Sequence, residues 1–268
     1  MANEEIKKIL NDMDEQGFPL EVKTSEILQA HNWEITNQAS YIDIESRKNR
    51  TLDIIAEKNV FLKQSTLAFD IWLFIECKKV SKPWVFYTSD IDLNNGEIRR
   101  KVVSSTQFFV NSLSYQKRKQ NMIMDIIVRQ FLLQNKIPKS VFGKLAYSSY
   151  EPFTEGKGQS IHKARMQVCN AILDIQSMMD SEVLPQIDFP YGILLLPIII
   201  LDGQLLIYEN GELDFTNGLY YHVQYHGSAF MIEIVTAKFL ETYLKNIEQI
   251  ITNFKYEILA EAEVDGKR

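Results

Sequence analysis

The sequence predicts an α/β protein with a central mixed sheet flanked by helices, and three features carry that expectation. Residues 69–80, FDIWLFIECKKV, form a stretch apolar on both faces, as in a strand covered on both sides of a sheet. A second run, residues 193–201, is almost wholly aliphatic. Between and around them lie segments whose apolar residues recur at helical spacing.

Composition sets the outer bounds. With 268 residues the chain can bury a sizeable core, and its charged and apolar fractions, 24% and 46%, are those of an ordinary globular protein. It is expected to form a single α/β domain over residues 1–268. A net charge of −6 argues against a general electrostatic grip on nucleic acid and leaves room only for a local basic groove. Cys77 and Cys169 lie far apart, which suggests a reducing compartment without a disulfide framework. The acidic start, MANEE, lacks the pattern of a signal peptide, and the longest apolar run contains Pro197 and is too short for a membrane helix. A cytoplasmic protein with no membrane partner is the expectation.

Ile6, Ile9, Leu10 and Met13 mark a first helix that Gly17 ends. Pro19 suits the first turn of a second helix running to about His31, with Glu21 and Leu28 on one face. A strand from Trp33 to about Ile42 follows, then the basic residues 47–50 (RKNR) and a short strand, residues 52–56, that sets Asp53 among aliphatics. Glu57, Lys58 and Asn59 read as a turn before the strand 69–80. In that strand side chains alternate, so Glu76 and Lys78 leave on one face and Ile75 and Cys77 on the other. An enclosed carboxylate and ammonium there need a partner, water or a metal ion.

This order resembles the PD-(D/E)xK nuclease superfamily, the restriction-endonuclease-like fold, and within it the Holliday-junction resolvases and type IV restriction endonucleases. The matching pieces are Glu21 on a helix, Asn32-Trp33 opening a strand, Asp53-Ile54-Ile55-Ala56, and Glu76-Cys77-Lys78 after an apolar strand. Asn32 stands where those families have Gly, and Leu52 where they have Pro. The likeness covers about residues 18–88, the expected nuclease-like core, with an enlarged C-terminal α/β half over about residues 151–268.

The resemblance implies a metal-dependent nuclease cutting phosphodiester bonds, of DNA rather than RNA, in restriction or defence against foreign DNA. The alternative is a binding or assembly protein that keeps the fold without hydrolysis. The chemistry accounts for the residue types: a cation offsets charge developing on the phosphate and lowers the pKa of an attacking water. Mg2+ or Mn2+ would be held by Asp53 and Glu76, with the Cys77 carbonyl and Glu21 as further ligands. Lys78 would orient or deprotonate the water, or neutralise the transition state. Glu26 lies well round the helix from Glu21 and is only a substitute. A homodimer would suit cleavage of two strands.

Trp84, Phe86 and Tyr87 fall in a further strand and are expected in the core rather than stacked on bases. Residues 99–101 (RRK) and 117–119 (KRK) punctuate a region with helical character; they read first as a solvated helix face and only second as phosphate contacts. Ser160 caps a helix over about residues 161–179. The preceding GKGQ, with Lys157, Lys163 and the free amides of the helix start, reads first as an ordinary capped helix and only second as a phosphate site. It is not a Walker A loop, because the Gly-Lys-Ser/Thr ending is missing. Asp202-Gly203 marks a hairpin between two strands. Strands near residues 219–225 and 230–235 precede a helix over about 238–254 and a polar tail. His222 and His226 are four apart, but in strand context and without a third ligand they do not read as a zinc site. The strands of the second half either extend the first sheet or form a small second one.

Overall fold

The structure, a computed structural model, describes residues 2–15, 17–62, 67–90, 107–111, 143–153, 160–181 and 191–265. The basic groups 99–101 and 117–119 and the GKGQ segment lie outside the described residues. Between those groups, where helical character was expected, residues 107–111 form a strand instead, paired antiparallel with residues 191–195.

Two helices, α1 (Ala2–Glu15) and α2 (Phe18–Ala30), precede a meander of three long strands, β1 (Glu34–Ile42), β2 (Asn49–Leu62) and β3 (Leu67–Lys79). There follow β4 (Trp84–Asp90), β5 (Gln107–Asn111), β6 (Lys144–Tyr150), α3 (Ser160–Ser181) and β7 (Tyr191–Asp202). The chain ends with β8 (Leu205–Glu209), β9 (Glu212–Phe215), β10 (Gly218–Tyr225), β11 (Ser228–Thr236) and α4 (Leu240–Asp265). Among the described residues the strands make one mixed 11-stranded sheet in the order β1-β2-β3-β7-β11-β10-β6-β4-β8-β9, with β5 pairing to β7. Strands of the second half therefore extend the first sheet. No helix among the described residues is long and apolar enough to cross a membrane.

β3 and β7 form the centre. They run parallel from Ala68↔Tyr191 to Lys79↔Asp202, and their continuous apolar sequences follow from burial on both faces. On one face Ile71, Leu73, Ile75 and Cys77 pack with Leu20 and Leu28 of α2 and Tyr243, Leu244 and Ile247 of α4. On the other, Phe74 packs with Ala164, Val168 and Ile172 of α3 and with Trp84 and Phe86 of β4.

Several expectations change. Glu57, Lys58 and Asn59 do not turn: they lie within β2, opposite Trp72, Ile71 and Asp70 of β3. Two of the three have partners that a turn would not supply. Lys58 Nζ donates to the His31 carbonyl and to Glu248 Oε1, both at 2.8 Å, and lies 5.1 Å from the Trp33 ring centroid. Asn59 Nδ2 donates to Asp70 Oδ1 at 2.7 Å.

Asp202-Gly203 does not close a hairpin either, because β8 pairs with β4 and β9 rather than with β7. The turn is pinned against the end of β3, where Val80 N–H donates to the Asp202 carbonyl at 3.0 Å. A Cβ on Gly203 would lie 2.5 Å from Val80 Cγ2 and 2.9 Å from its carbonyl oxygen, so the position needs glycine for space. The tight hairpins sit at Asn210-Gly211, with φ of 52° and 89°, and His226-Gly227, with φ of 47° and 79°. α4 continues past residue 254 to Asp265, since no Gly or Pro interrupts it before Gly266. Trp84 and Phe86 are buried in the core, whereas Tyr87, expected there too, alternates outward and is exposed.

Phe74 is fully buried at the centre of the sheet, while Ile6 on α1 is 53% exposed. Phe74→Ala is expected to lower unfolding stability by about 3–5 kcal/mol. Ile6→Ala should change it by no more than about 0.5 kcal/mol. Urea midpoints of the two variants check both.

Candidate functional site

The site forms where two paired strands part. β2 and β3 pair antiparallel from Leu62↔Leu67 down to Ile54↔Ile75, and the ladder stops there, one residue short of Asp53 and Glu76. The side-chain alternation also breaks at this point. Ile54 and Ala56 face the α2 and α4 side, while Leu52 faces α3. In β1 the same change falls between Ile35 and Tyr41, around Gln38, whose φ of 51° is unusual for a residue with a side chain. Both strands thus turn over beside Asp53.

Asp53 replaces the missing ladder. Its Oδ2 accepts the Cys77 backbone N–H at 2.7 Å. In a strand the N–H and C=O of one residue point to the same edge, so the Cys77 carbonyl also faces the opening towards β2. The Cys77 thiol points the other way, 3.7 Å from the Thr24 hydroxyl of α2, and burial pushes its pKa well up.

Glu76 and Lys78 leave β3 on one face, as the alternation requires, and their side chains form an ion pair between Lys78 Nζ and Glu76 Oε1. Glu76 is only 1% exposed, and its Oε2 is buried without a hydrogen-bond partner. Burial raises its pKa to about 8; Lys78 pulls it down, while Asp53 and Glu21 push it further up. Asp53 is also raised, chiefly by burial, against the lowering effect of the Cys77 N–H and of Lys78.

Glu21 arrives from the first turn of α2. That helix is seated by Leu20, Thr24, Ser25 and Leu28, and Ser25 Oγ donates to Asn37 Oδ1 at 2.8 Å. Its far end is tied to β2 and α4 through Lys58, His31 and Glu248. Glu21 Oε2 accepts from Gln38 Nε2 at 2.8 Å. Burial and then Asp53 raise the Glu21 pKa, and Gln38 and Lys78 lower it.

Asp53, Glu76, Lys78 and Glu21 therefore act on one another's charge around the fork. Glu26 is exposed on α2 and shows no interaction with this group among the described residues. Gln38 is the member that sequence reasoning missed; in the sequence it is one polar residue of a polar strand, and its unusual backbone is invisible there. His226 lies in the β10–β11 turn, 3.3 Å from Glu45, and His222 lies within β10. Ser160, expected to cap α3, is instead its first residue and donates its hydroxyl to Glu151 Oε2, and Glu151 Oε1 takes the Ile161 N–H at 2.7 Å.

Among the described residues no group of three or more His, Cys, Asp or Glu stands together as a ready-made metal centre. Two carboxylates suffice for a cation that keeps most of its waters. The orphaned Glu76 Oε2, beside a second raised carboxylate, fits such a cation. Comparison of the chain with protein-family models, curated proteins and solved structures gives no match.

A carboxyl whose folded pKa lies near 8 rather than 4.5 favours the folded state most at low pH and loses that contribution as pH rises through about 8. Glu76→Gln keeps the shape and removes the titration. Its stability relative to the parent is expected to rise steadily between about pH 5 and pH 8 and to level off above. Urea unfolding of both proteins across that range checks the sign.

Proposed function

We propose that the protein is a metal-dependent nuclease with a restriction-endonuclease-like core, hydrolysing phosphodiester bonds of DNA. The observation that carries this is the fully buried Glu76 with an unpartnered Oε2, set beside Asp53 at the end of the β2–β3 ladder. Enclosing two acids near one another is costly, and it has a chemical use when a divalent cation sits between them.

Asp53 and Glu76 would hold Mg2+ or Mn2+, with the Cys77 carbonyl on the same opening and Glu21 directly or through water. Such a cation stabilises charge on the phosphate and acidifies a bound water. Lys78 supplies the positive charge on the β3 side, orienting the attacking water or neutralising the phosphorane-like transition state. Gln38 holds Glu21 in place. Cys77 and Cys169 are both free and buried, in keeping with a reducing, cytoplasmic setting. A homodimer would bring two such sites to a duplex, and restriction or defence against foreign DNA is the role that follows from the sequence resemblance.

The test is incubation of the protein with duplex, branched and single-stranded DNA, with Mg2+ or Mn2+ and with chelator. Cleavage should require the cation and fall by about 10²-fold or more in Glu76→Ala and in Lys78→Ala. Activity surviving both substitutions contradicts the assignment. No cleavage of any substrate, together with no cation-induced rise in melting temperature, favours a binding or assembly protein, to which the acidic net charge of −6 lends some support.

A further inference from the structure

A cleft of about 740 Å³ lies between the β1–β2 hairpin and α3, on the face from which Glu76 leaves β3. Tyr41 lines it and is buried in one cluster with Leu52, the neighbour of Asp53, and with Phe74, which leaves β3 on the same face as Glu76; the charge of Glu76 acts on the Tyr41 hydroxyl. The cleft thus adjoins the acid site.

Its walls carry cations on both sides. Arg50 stands on the hairpin and Lys163 on the first turn of α3, with His162 beside it as a neutral donor. Arg50 and Lys163 are exposed and form no ion pair among the described residues. His162 Nδ1 lies 3.0 Å from Arg165 Nη2; arginine only donates, so Nδ1 accepts and Nε2 keeps the proton as a donor. The acid in the lining, Asp43, is already engaged by the Ser46 N–H at 2.7 Å and the Asn170 amide at 3.1 Å.

The walls are also held in place. Asp174 Oδ2 of α3 accepts the Ile42 N–H at 3.1 Å, and Tyr225 donates to Asn170 Oδ1 at 3.0 Å. At the helix start Ser160 Oγ donates to Glu151 Oε2 at 2.7 Å and accepts from Trp84 Nε1 at 3.0 Å. A cleft of fixed width with donors on two walls suits a chain of phosphates passing between them.

We infer that this cleft binds a single-stranded stretch of nucleic acid leading to the acid site, with Arg50 and Lys163 contacting its phosphates from opposite walls. The inference rests on the nuclease reading, and it names the form of substrate that reading leaves open. The volume is that of a ligand pocket, about 300–1,000 Å³, which accommodates a short piece of one strand.

Fluorescence anisotropy in chelator, where no hydrolysis occurs, tests it with a labelled single strand, a blunt duplex and a duplex bearing a single-stranded flap. The parent should bind the single strand and the flap more tightly than the blunt duplex. Arg50→Ala/Lys163→Ala should weaken single-strand binding by about tenfold or more and lower the slope of log affinity against log salt by about 1.4, the value for two phosphate contacts. Lys7→Ala/Lys8→Ala removes the same charge from the exposed face of α1 and should change neither. Unchanged affinity in Arg50→Ala/Lys163→Ala, or equal affinity of the parent for blunt and flapped duplex, overturns the inference while leaving cleavage through Glu76 and Lys78 untouched. Loss of binding in that variant, in a parent that never cleaves, upholds the cleft and overturns the nuclease. A parent that binds no nucleic acid overturns both.

Discussion

The separation of β2 from β3 after Ile54 and Ile75 governs the rest of the structure. A strand that stays paired gives its main-chain groups to its neighbour, and its side chains point strictly up or down. Where pairing stops, an N–H is left over and must find an acceptor. Asp53 is that acceptor for Cys77. The bond fixes one carboxylate in the gap, and the gap admits groups from both faces of the sheet: Glu76 and Lys78 from one side, Glu21 from the other.

The surrounding fold makes this opening rigid. β3 is held on its other edge by β7 up to Lys79↔Asp202, and the Gly203 turn packs against Val80 just beyond. α2 is fixed at its C-terminal end by Lys58, His31 and Glu248; burial alone would raise the Glu248 carboxyl, but the two partners hold it below its ordinary range. The acids are thus kept close by elements that cannot easily relax apart. Their burial and mutual repulsion show together as raised pKa values at Glu76, Asp53 and Glu21. A similar cost without a cluster is seen at Glu233, buried under α4, where burial raises the pKa to about 7 and Tyr243 donates to the carboxylate. The difference is that Glu233 has its hydroxyl partner, whereas Glu76 Oε2 has none.

Much of this was legible in the sequence because it depends on local pattern. The apolar runs 69–80 and 193–201 mark the two central strands, and alternation places Glu76 beside Lys78. The limits were set by long-range pairing. Glu57, Lys58 and Asn59 look like a turn until β3 and α4 supply their partners, and Asp202-Gly203 looks like a hairpin until Val80 is seen against it. The Asn210-Gly211 pair carries a genuine hairpin signal, but its strands are short and their neighbour β4 lies far earlier in the chain. Gln38 left no mark, since a single residue with positive φ in a strand has no compositional signature.

The most direct measurement is a crystal structure of the protein grown with Mn2+, read by the metal's anomalous signal. The expected result is a peak in the fork, about 2.0–2.3 Å from carboxylate oxygens of both Asp53 and Glu76. A map with no peak there, or with the metal bound elsewhere while Glu76 stays paired only to Lys78, would contradict a cation site built from these two acids.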